Sequence, residues 1–258
     1  YGDEWIRGSE RCLLDLVSHL NRDIYEPVVW CNAEAMADEV RKLDVPVIRN
    51  EFPLMLGGQA PRFNLPGLMG LVRKGNKLVD QHDIKLLHAN SGAPNQWLNF
   101  VARSRRIPLL AHLHSRYPLR DRITLGLHHV SKVVGVSEPV VEQLLQDGMP
   151  KERTMVISNG IDVERLDNQP QVNLRAELGI GERELVVATV GSLIHRKGVD
   201  LILGAIYRLL NHRVPVHLVV IGDGPERGNL QSMAERLSME ERVHMLGERS
   251  DVAGLLRG

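Results

Sequence analysis

Short apolar runs rich in β-branched residues alternate with longer segments of helical periodicity along the whole sequence. Runs that are apolar throughout are typical of strands buried on both faces of a parallel sheet. They predict nine strands, at residues 27–30, 45–49, 85–89, 109–114, 132–136, 154–158, 185–191, 216–222 and 242–247. Between them lie apolar stripes with a spacing near 3.6 residues, one at Leu13, Leu16, Val17 and Leu20 and another at Val199, Ile202, Ile206 and Leu209. The pattern predicts an α/β protein with Rossmann-like parallel sheets.

The sequence changes character near residues 162–173, which are polar, contain Pro170 and lack periodicity, as is typical of a linker. A length of 258 residues fits two domains. We therefore predict an N-terminal domain at 1–165 and a C-terminal domain at 166–258. The first residues of the sequence read as a loop that leads into a helix. The last residues read as the beginning of another helix. We expect a fragment whose first domain lacks its first strand and whose second domain is truncated.

Composition narrows the class of protein. The chain is 43% hydrophobic and 25% charged, as in ordinary soluble proteins. We find neither an apolar run long enough to span a bilayer nor a signal peptide. Two cysteines, Cys12 and Cys31, provide no disulfide framework and favour buried, reduced thiols. These features predict a cytoplasmic protein.

The formal net charge is zero, but residues 73–132 contain eleven Lys and Arg against three Asp, a net charge of +8. An anionic ligand or the inner face of an anionic membrane would explain this excess. Helices with a solvated basic face would explain it equally well.

Two helix starts indicate phosphate binding. Gly8 and Ser9 open the first helix, where Ser9 is a good N-cap and Gly8 allows a phosphate to approach the backbone. Arg196 and Lys197 precede another helix, although the helix dipole there already favours anions. Such cations, together with helix N–H groups, can clamp a diphosphate. The alternatives are a plain cap at the first helix and solvated surface cations at the second.

Two further patterns are weaker. The pair Gly222 and Gly224 follows a strand, but Arg227 occupies the position where a dinucleotide fingerprint needs a small residue. His112 and His114 lie two apart at a strand end, so both face one side of the sheet, where His114 could bind a substrate hydroxyl. A buried, hydrogen-bonded histidine is the alternative. A metal site with His128 or His129 is disfavoured because no Cys or carboxylate lies at a useful spacing.

Several motifs of other enzyme classes are absent from the sequence. It contains no Asp-x-Asp pair, no Gly-x-Ser-x-Gly elbow and no P-loop. We therefore expect diphosphate binding by cations, with no metal and no cofactor.

Seven segments occur in the order seen in a known family: GSERCLLDL, HLHS, VVGVSE, ISNGID, VGSLIHRKGVDLILGAI, VVIGDGPERGNL and RVHMLGERSDV. The chain resembles glycosyltransferase family 4 over nearly its whole length. The resemblance implies two Rossmann-like domains in the GT-B fold, and a retaining transferase that takes a sugar from a nucleotide-sugar donor. It places the acceptor side in the N-terminal domain and the donor in the C-terminal domain.

The resemblance also implies site residues. His114 corresponds to the acceptor-side catalytic histidine and Lys197 to the catalytic lysine that binds the donor phosphate. Ser192 stands where the family has an arginine, and Arg196 is the candidate substitute in catalysis. The remaining donor-binding residues implied by the resemblance are Gly8, Ser9, Asn159 and Gly160 near the cleft, Gly222, Gly224, and Leu246 and Gly247 in the base-contacting segment.

The family's two glutamates that bind the donor lie beyond the last residue of this sequence. The pairs Glu240 and Glu248, and Glu26 and Glu34, have the same spacing by coincidence. The expected partners are a nucleotide sugar and an acceptor that is anionic or lipid-linked, with peripheral membrane contact and no nucleic acid. The alternatives are a sugar-nucleotide epimerase of the same fold and a non-catalytic nucleotide-sugar-binding module.

Overall fold

The structure is a computed structural model that describes residues 6–55 and 63–258. The chain forms two compact units, which we call the N-terminal unit (Tyr1–Ile161) and the C-terminal unit (Asp162–Gly258). We had placed this division between residues 165 and 166. The loop predicted to open the sequence falls largely on residues 1–5, outside the described residues.

The N-terminal unit alternates strands and helices. In its described part the strands are β1 (Val29–Cys31), β2 (Val47–Arg49), β3 (Leu87–Ala89), β4 (Leu109–Leu113), β5 (Lys132–Gly135) and β6 (Thr154–Val156). Its helices are α1 (Gly8–His19), α2 (Glu34–Arg41), α3 (Leu65–Gln81), α4 (Asn95–Arg105), α5 (Leu119–Thr124) and α6 (Glu138–Gln146).

All strands of this unit run parallel, in two separate sheets. One has the order β1-β2 and the other the order β3-β4-β5-β6. A cavity of about 700 Å³ is lined by residues of both β1 and β3, together with α1 and α3. Because no ladder joins β1 to β3 in the described chain, the sheet is interrupted at this cavity.

The core of the N-terminal unit is aromatic near this interruption and aliphatic elsewhere. Trp97 is 1% exposed and packs at 4.9 Å, centroid to centroid, from Phe52, which in turn lies 5.2 Å from Trp30. Helix α4 begins beside this cluster, and its inner face carries the fully buried Val101. The aromatic rings therefore hold α4 in the same core as the inward-facing residues of β3 and β4.

The C-terminal unit contains one three-stranded parallel sheet of order β7-β8-β9. The strands are β7 (Leu185–Val190), β8 (Val216–Ile221) and β9 (Val243–Gly247). The helices are α7 (Val163–Asp167), α8 (Leu174–Leu178), α9 (Val199–Asn211), α10 (Arg227–Arg236) and α11 (Val252–Arg257).

The central strand β8 is buried at every position because helices cover both of its faces. Leu218 and Val220 pack with Leu203 of α9, whereas Val219 and Ile221 pack in a second cluster with residues of α8 and α11. This two-sided burial explains why the strand reads as a continuous apolar run.

The nine predicted strands are all present, each one or two residues shorter than predicted. The interpretation of 162–173 as a linker without structure was wrong in part, because α7 forms there. Asp162 accepts a hydrogen bond from the N–H of Arg165 at 2.9 Å and so caps this five-residue helix. Over the residues that the structure describes, none of the helices is both long and apolar enough to cross a membrane.

Candidate active site

Three loops of the C-terminal unit meet where the parallel strands end. The loop after β7 is bonded to the loop after β8, since Gly191 N donates to Ile221 O at 2.9 Å and Leu193 N donates to Asp223 O at 2.9 Å. The loop after β8 is bonded to the end of β9 by Gly222 N, which donates to Gly247 O at 2.7 Å. In open α/β sheets this edge is where ligands bind.

Glycine is required in these loops because the backbones touch. A Cβ on Gly222 would lie 2.1 Å from the carbonyl oxygen of Gly191, and one on Gly224 would lie 2.5 Å from that of Leu193. Both glycines also have positive φ, 132° and 157°. The pair Gly222 and Gly224, which does not fit a dinucleotide fingerprint, therefore has a structural role, since it allows the loops to touch. Donor binding by the two glycines stays a prediction.

Arg227, which excluded the fingerprint, connects two of these loops. Its guanidinium donates to Asp223 Oδ2 at 2.8 Å and lies 3.2 Å from where a Cβ on Gly247 would be. The backbone N–H of Gly224, 2.7 Å from Asp223 Oδ1, and then Arg227 lower the pKa of the Asp223 carboxyl. Leu246 contributes to the core beside Leu255, so its side chain is partly buried.

The two cations that prompted the phosphate hypothesis lie where the sequence predicts. Arg196 and Lys197 form a 3-10 turn with His195, followed by Gly198 at φ 64° and then the first residue of α9. Both cations are exposed, and neither forms an ion pair within 6–55 and 63–258. The buried Leu193, 1% exposed, anchors the turn to the core. Ser192 is half-buried at the start of the same loop.

The first helix of the N-terminal unit begins two residues earlier than an N-cap at Ser9 requires, so the prediction of Ser9 as the cap was wrong. Helix α1 starts at Gly8 and Arg7 is its N-cap. The reason is Glu10, whose Oε2 accepts hydrogen bonds from Arg7 N at 3.3 Å and from Ser9 Oγ at 2.9 Å. A glutamate that bonds back to the residue before the helix stabilises this start. Gly8 is exposed and has open space around it.

His114 follows β4 directly, and Asn90 follows the neighbouring strand β3. Asn90 Nδ2 donates to the Ser9 carbonyl at 2.8 Å, which fixes the amide so that Oδ1 faces His114. His114 Nε2–H then donates to Asn90 Oδ1 at 3.1 Å. The proton therefore sits on Nε2 and the lone pair on the buried Nδ1, which has no hydrogen-bond partner in the described part of the chain.

Three imidazoles lie side by side on this face of the sheet, which confirms that His112 and His114 point the same way. The ring centroid of His112 is 4.4 Å from that of His114 and 5.5 Å from that of His88. Burial, and next the charge of His114, lower the pKa of His88 and of His112 to about 4. Burial also lowers the pKa of His114, against an opposite effect of Glu10. The rings are neutral near pH 7.

Cys12 is the neighbour that sequence reasoning missed. It lies on α1, half-buried, and its Sγ donates to Asn159 Oδ1 at 3.2 Å. Asn159 is itself exposed, as is Gly160 beside it. His128, considered above as a partner for the histidine pair, instead bonds Asp147 at 3.0 Å.

Comparison with known proteins agrees with this architecture. The family model described as Glycosyltransferase Family 4 matches residues 6–165, and the model described as Glycosyl transferases group 1 matches residues 171–258. An N-acetyl-alpha-D-glucosaminyl L-malate synthase of Bacillus anthracis is 24% identical over 73% of this chain and 52% of its own length. A GDP-mannose-dependent alpha-(1-6)-phosphatidylinositol monomannoside mannosyltransferase of Mycolicibacterium smegmatis is 28% identical over 89% of this chain and 59% of its own length.

Among solved structures, Anabaena Alr3699/HepE in complex with UDP-glucose matches with a TM-score of 0.76 at 21% identity, over 98% of this chain and 69% of that one. Similarity at this level shows the fold, which is that of the GT-B class. The chain spans about half the length of the curated relatives it matches. The two family models together cover almost all the described residues. The chain belongs to glycosyltransferase family 4.

Proposed function

We propose that the protein containing this chain is a retaining glycosyltransferase that acts without a metal ion. It transfers a sugar from a nucleoside-diphosphate sugar to a hydroxyl group of an acceptor. The bond between the anomeric carbon and the diphosphate oxygen breaks, the bond to the acceptor oxygen forms on the same face of the sugar, and the acceptor hydroxyl loses its proton. Membership of the family supports the reaction class.

The observation that carries the donor half of the proposal is the position of Arg196 and Lys197. They are exposed, have no carboxylate partner among the residues described, and stand directly before the thirteen-residue helix α9. A helix N-terminus leaves N–H groups free and attracts anions. A diphosphate bound there would gain two charge-assisted contacts, and Lys197 and Arg196 would stabilise the charge that develops as it leaves.

The loops joined through Gly191, Gly222 and Gly247 support the same assignment. At these glycines no side chain projects from the loops, which lie along the edge formed by the carboxyl ends of β7, β8 and β9. The nucleotide would lie along this edge, with Leu246 and Gly247 near the base.

The acceptor half of the proposal rests on His114. Because Asn90 fixes the proton on Nε2, the Nδ1 lone pair can accept a hydrogen bond from a sugar or acceptor hydroxyl. Asn90 also binds the Ser9 carbonyl, so the first turn of α1 is held at the same place. We propose that Gly8 and Ser9 approach the donor phosphates there, and that Asn159 and Gly160 lie at the rim of the same region.

We propose an anionic or lipid-linked acceptor, as the basic excess of residues 73–132 suggests. Arg73, Lys77 and Arg105 line one surface hollow of about 430 Å³ between α3 and α4. Only Arg105 among them has a carboxylate partner in the described chain, Asp80 at 2.5 Å. An anionic head group at a membrane surface would complement the remaining charge and would bring the enzyme into peripheral contact with the membrane.

The decisive experiment removes Lys197 from the whole protein. A thermal-shift screen of UDP-, GDP- and ADP-sugars first identifies the donor, since a ligand stabilises the folded state by mass action. We then expect Lys197→Ala to lower kcat by about 10²–10³-fold, as loss of one donor to a developing charge does. The matched control is Arg208→Ala, which removes an exposed cation from the far end of the same helix. Arg208→Ala should retain turnover within about twofold.

Three results would overturn the proposal. Wild-type turnover in Lys197→Ala would refute the phosphate clamp. Conversion of the donor sugar in the absence of any acceptor would favour an epimerase. Nucleotide binding without transfer or hydrolysis would favour a binding module.

A further inference from the structure

Cys12, His112 and His114 come together from two elements that are far apart in sequence. One potential ligand atom of each lies within 4.8 Å of the others. Cys12 comes from α1, and the two histidines come from the end of β4. The sequence argument against a metal site assumed that no Cys lay near the histidines, and the fold places one there.

The environment of the two histidines is that of metal ligands. His112 Nε2 and His114 Nδ1 are buried and have no hydrogen-bond partner among the residues described. His114 donates its other ring N–H to Asn90, which is the arrangement that orients a metal-binding imidazole. Asn90 is fixed in turn by its bond to the Ser9 carbonyl. Leaving two buried nitrogens unpaired costs free energy, which a bound ion would recover.

We propose that Cys12, His112 and His114 form a binding site for one zinc ion. A thiolate and two imidazoles are ligands that zinc prefers, and three protein ligands leave its fourth position for water. Tetrahedral zinc needs ligand atoms about 3.3–3.6 Å apart, so no pair of the three ligand atoms, all within 4.8 Å of one another, has to close by more than about 1.5 Å. Cys12 on α1 is only half-buried, so an ion can reach its thiol from solvent.

Zinc in this site has a consequence that rests on the proposed function. The ion occupies His114 Nδ1, the atom that would otherwise accept a substrate hydroxyl. Zinc would therefore inhibit sugar transfer rather than support it.

The direct test measures zinc binding by the purified, reduced protein in competition with a chromophoric chelator. We expect one tight site per chain, and an affinity at least about tenfold lower in Cys12→Ala and in His112→Gln. Asn90→Ala should weaken binding by about 10–100-fold, as loss of an outer hydrogen bond to a ligand does. The matched control is Cys31→Ala, which removes the second thiol of the same unit, a buried one outside the site, and should leave zinc affinity unchanged.

Cobalt(II) provides a spectroscopic check that does not depend on affinity. A cobalt–thiolate bond absorbs in the near ultraviolet, and this band should be present in the wild type and in Cys31→Ala but absent in Cys12→Ala. Zinc should also raise the melting temperature of the wild type and not that of Cys12→Ala. A cooperative melting transition of zinc-free Cys12→Ala shows that its loss of binding is not a loss of folding. Unchanged zinc affinity in Cys12→Ala, or an equal loss in Cys31→Ala, would overturn the site.

Measurements of sugar transfer with and without zinc test the zinc site separately from the proposed function. Each variant is normalised to its own zinc-free rate, and we expect zinc to inhibit the wild type but not Cys12→Ala. Zinc binding without inhibition would keep the site and refute the role of His114 in transfer. Failure of the Lys197 test with intact zinc binding would refute the transferase clamp alone.

Discussion

The contact between Gly222 and Gly191 allows the loop edge of the C-terminal unit to be tested by a single methyl group. In Gly222→Ala the new Cβ would lie 2.1 Å from the Gly191 carbonyl oxygen and 2.9 Å from its carbonyl carbon. The clash is with backbone, so no side-chain rotation relieves it. The φ of 132° is also one that residues with a side chain rarely adopt.

The cost follows from two effects. Forcing alanine into a glycine-only backbone conformation costs about 1–3 kcal/mol. Relieving the clash requires the loops after β7 and β8 to separate by about 1 Å, since ordinary contacts begin near 3.4 Å. That movement breaks the bonds from Gly191 N to Ile221 O and from Leu193 N to Asp223 O, each worth about 0.5–1.5 kcal/mol. We expect Gly222→Ala to destabilise the C-terminal unit by about 2–6 kcal/mol.

The assay can separate the two units because tryptophan occurs only at Trp5, Trp30 and Trp97, all in the N-terminal unit. Urea unfolding followed by far-ultraviolet circular dichroism should show a transition at lower urea in Gly222→Ala, together with faster hydrogen exchange in β7 and β8. Tryptophan fluorescence reports whether the N-terminal unit is affected.

The matched control is Gly204→Ala in α9, where a Cβ meets no atom within 4 Å. We expect it to be stabilising by up to about 1 kcal/mol because alanine is the better helix former. If Gly222→Ala were as stable as Gly204→Ala, the loops would not be in backbone contact and the reasoning would be wrong.

Two further substitutions test the cores of the units. Leu203→Ala removes a side chain that is 0% exposed and should destabilise the C-terminal unit by about 2–5 kcal/mol. Leu201 on the same helix is 74% exposed, so Leu201→Ala should change the free energy of unfolding by less than about 0.5 kcal/mol. Equal effects of the two substitutions in urea unfolding would contradict the packing of Leu203. Asp147→Asn should destabilise the N-terminal unit by about 1.5–3 kcal/mol near pH 7, because Asp147 pairs with the buried Arg122 at 2.5 and 2.7 Å. Since Arg122 lowers the pKa of Asp147 in the folded state, the wild type keeps this stabilisation above the ordinary carboxyl pKa near 4 and loses it as the pH falls through the lowered value. Fluorescence-detected unfolding from pH 7 to pH 3 should therefore show the gap between variant and wild type closing, and a constant gap would refute the ion pair.

Most of the fold could be predicted because its signals are local. Each strand is a short apolar run and each long helix has an apolar stripe, so both follow from neighbouring residues. Helix α7 was missed because five residues make little more than one turn, which shows no periodicity. The Asp162 cap was the available signal. Similarly, Glu10 three residues after Arg7 was the signal for the true start of α1.

The positions of the residues proposed to bind the donor could be predicted for the same reason. Gly191, Arg196, Lys197 and Gly198 belong to one strand–turn–helix segment, so their order in the sequence is nearly their order in space. What the sequence could not show is that Gly222 touches Gly191, because that contact depends on the register between β7 and β8.

The histidine region differs because its properties arise from contacts between distant segments. One signal was available: Asn90 and His114 each follow a strand, and the carboxyl ends of neighbouring parallel strands lie together. The consequence is chemical. Without Asn90, nothing in HLHS decides which nitrogen of His114 carries the proton. With Asn90 held by the Ser9 carbonyl, the lone pair is assigned to the buried Nδ1. The proposed hydroxyl recognition and the proposed zinc binding thus require the same tautomer of His114, and the amide of Asn90, directly after β3, determines that tautomer.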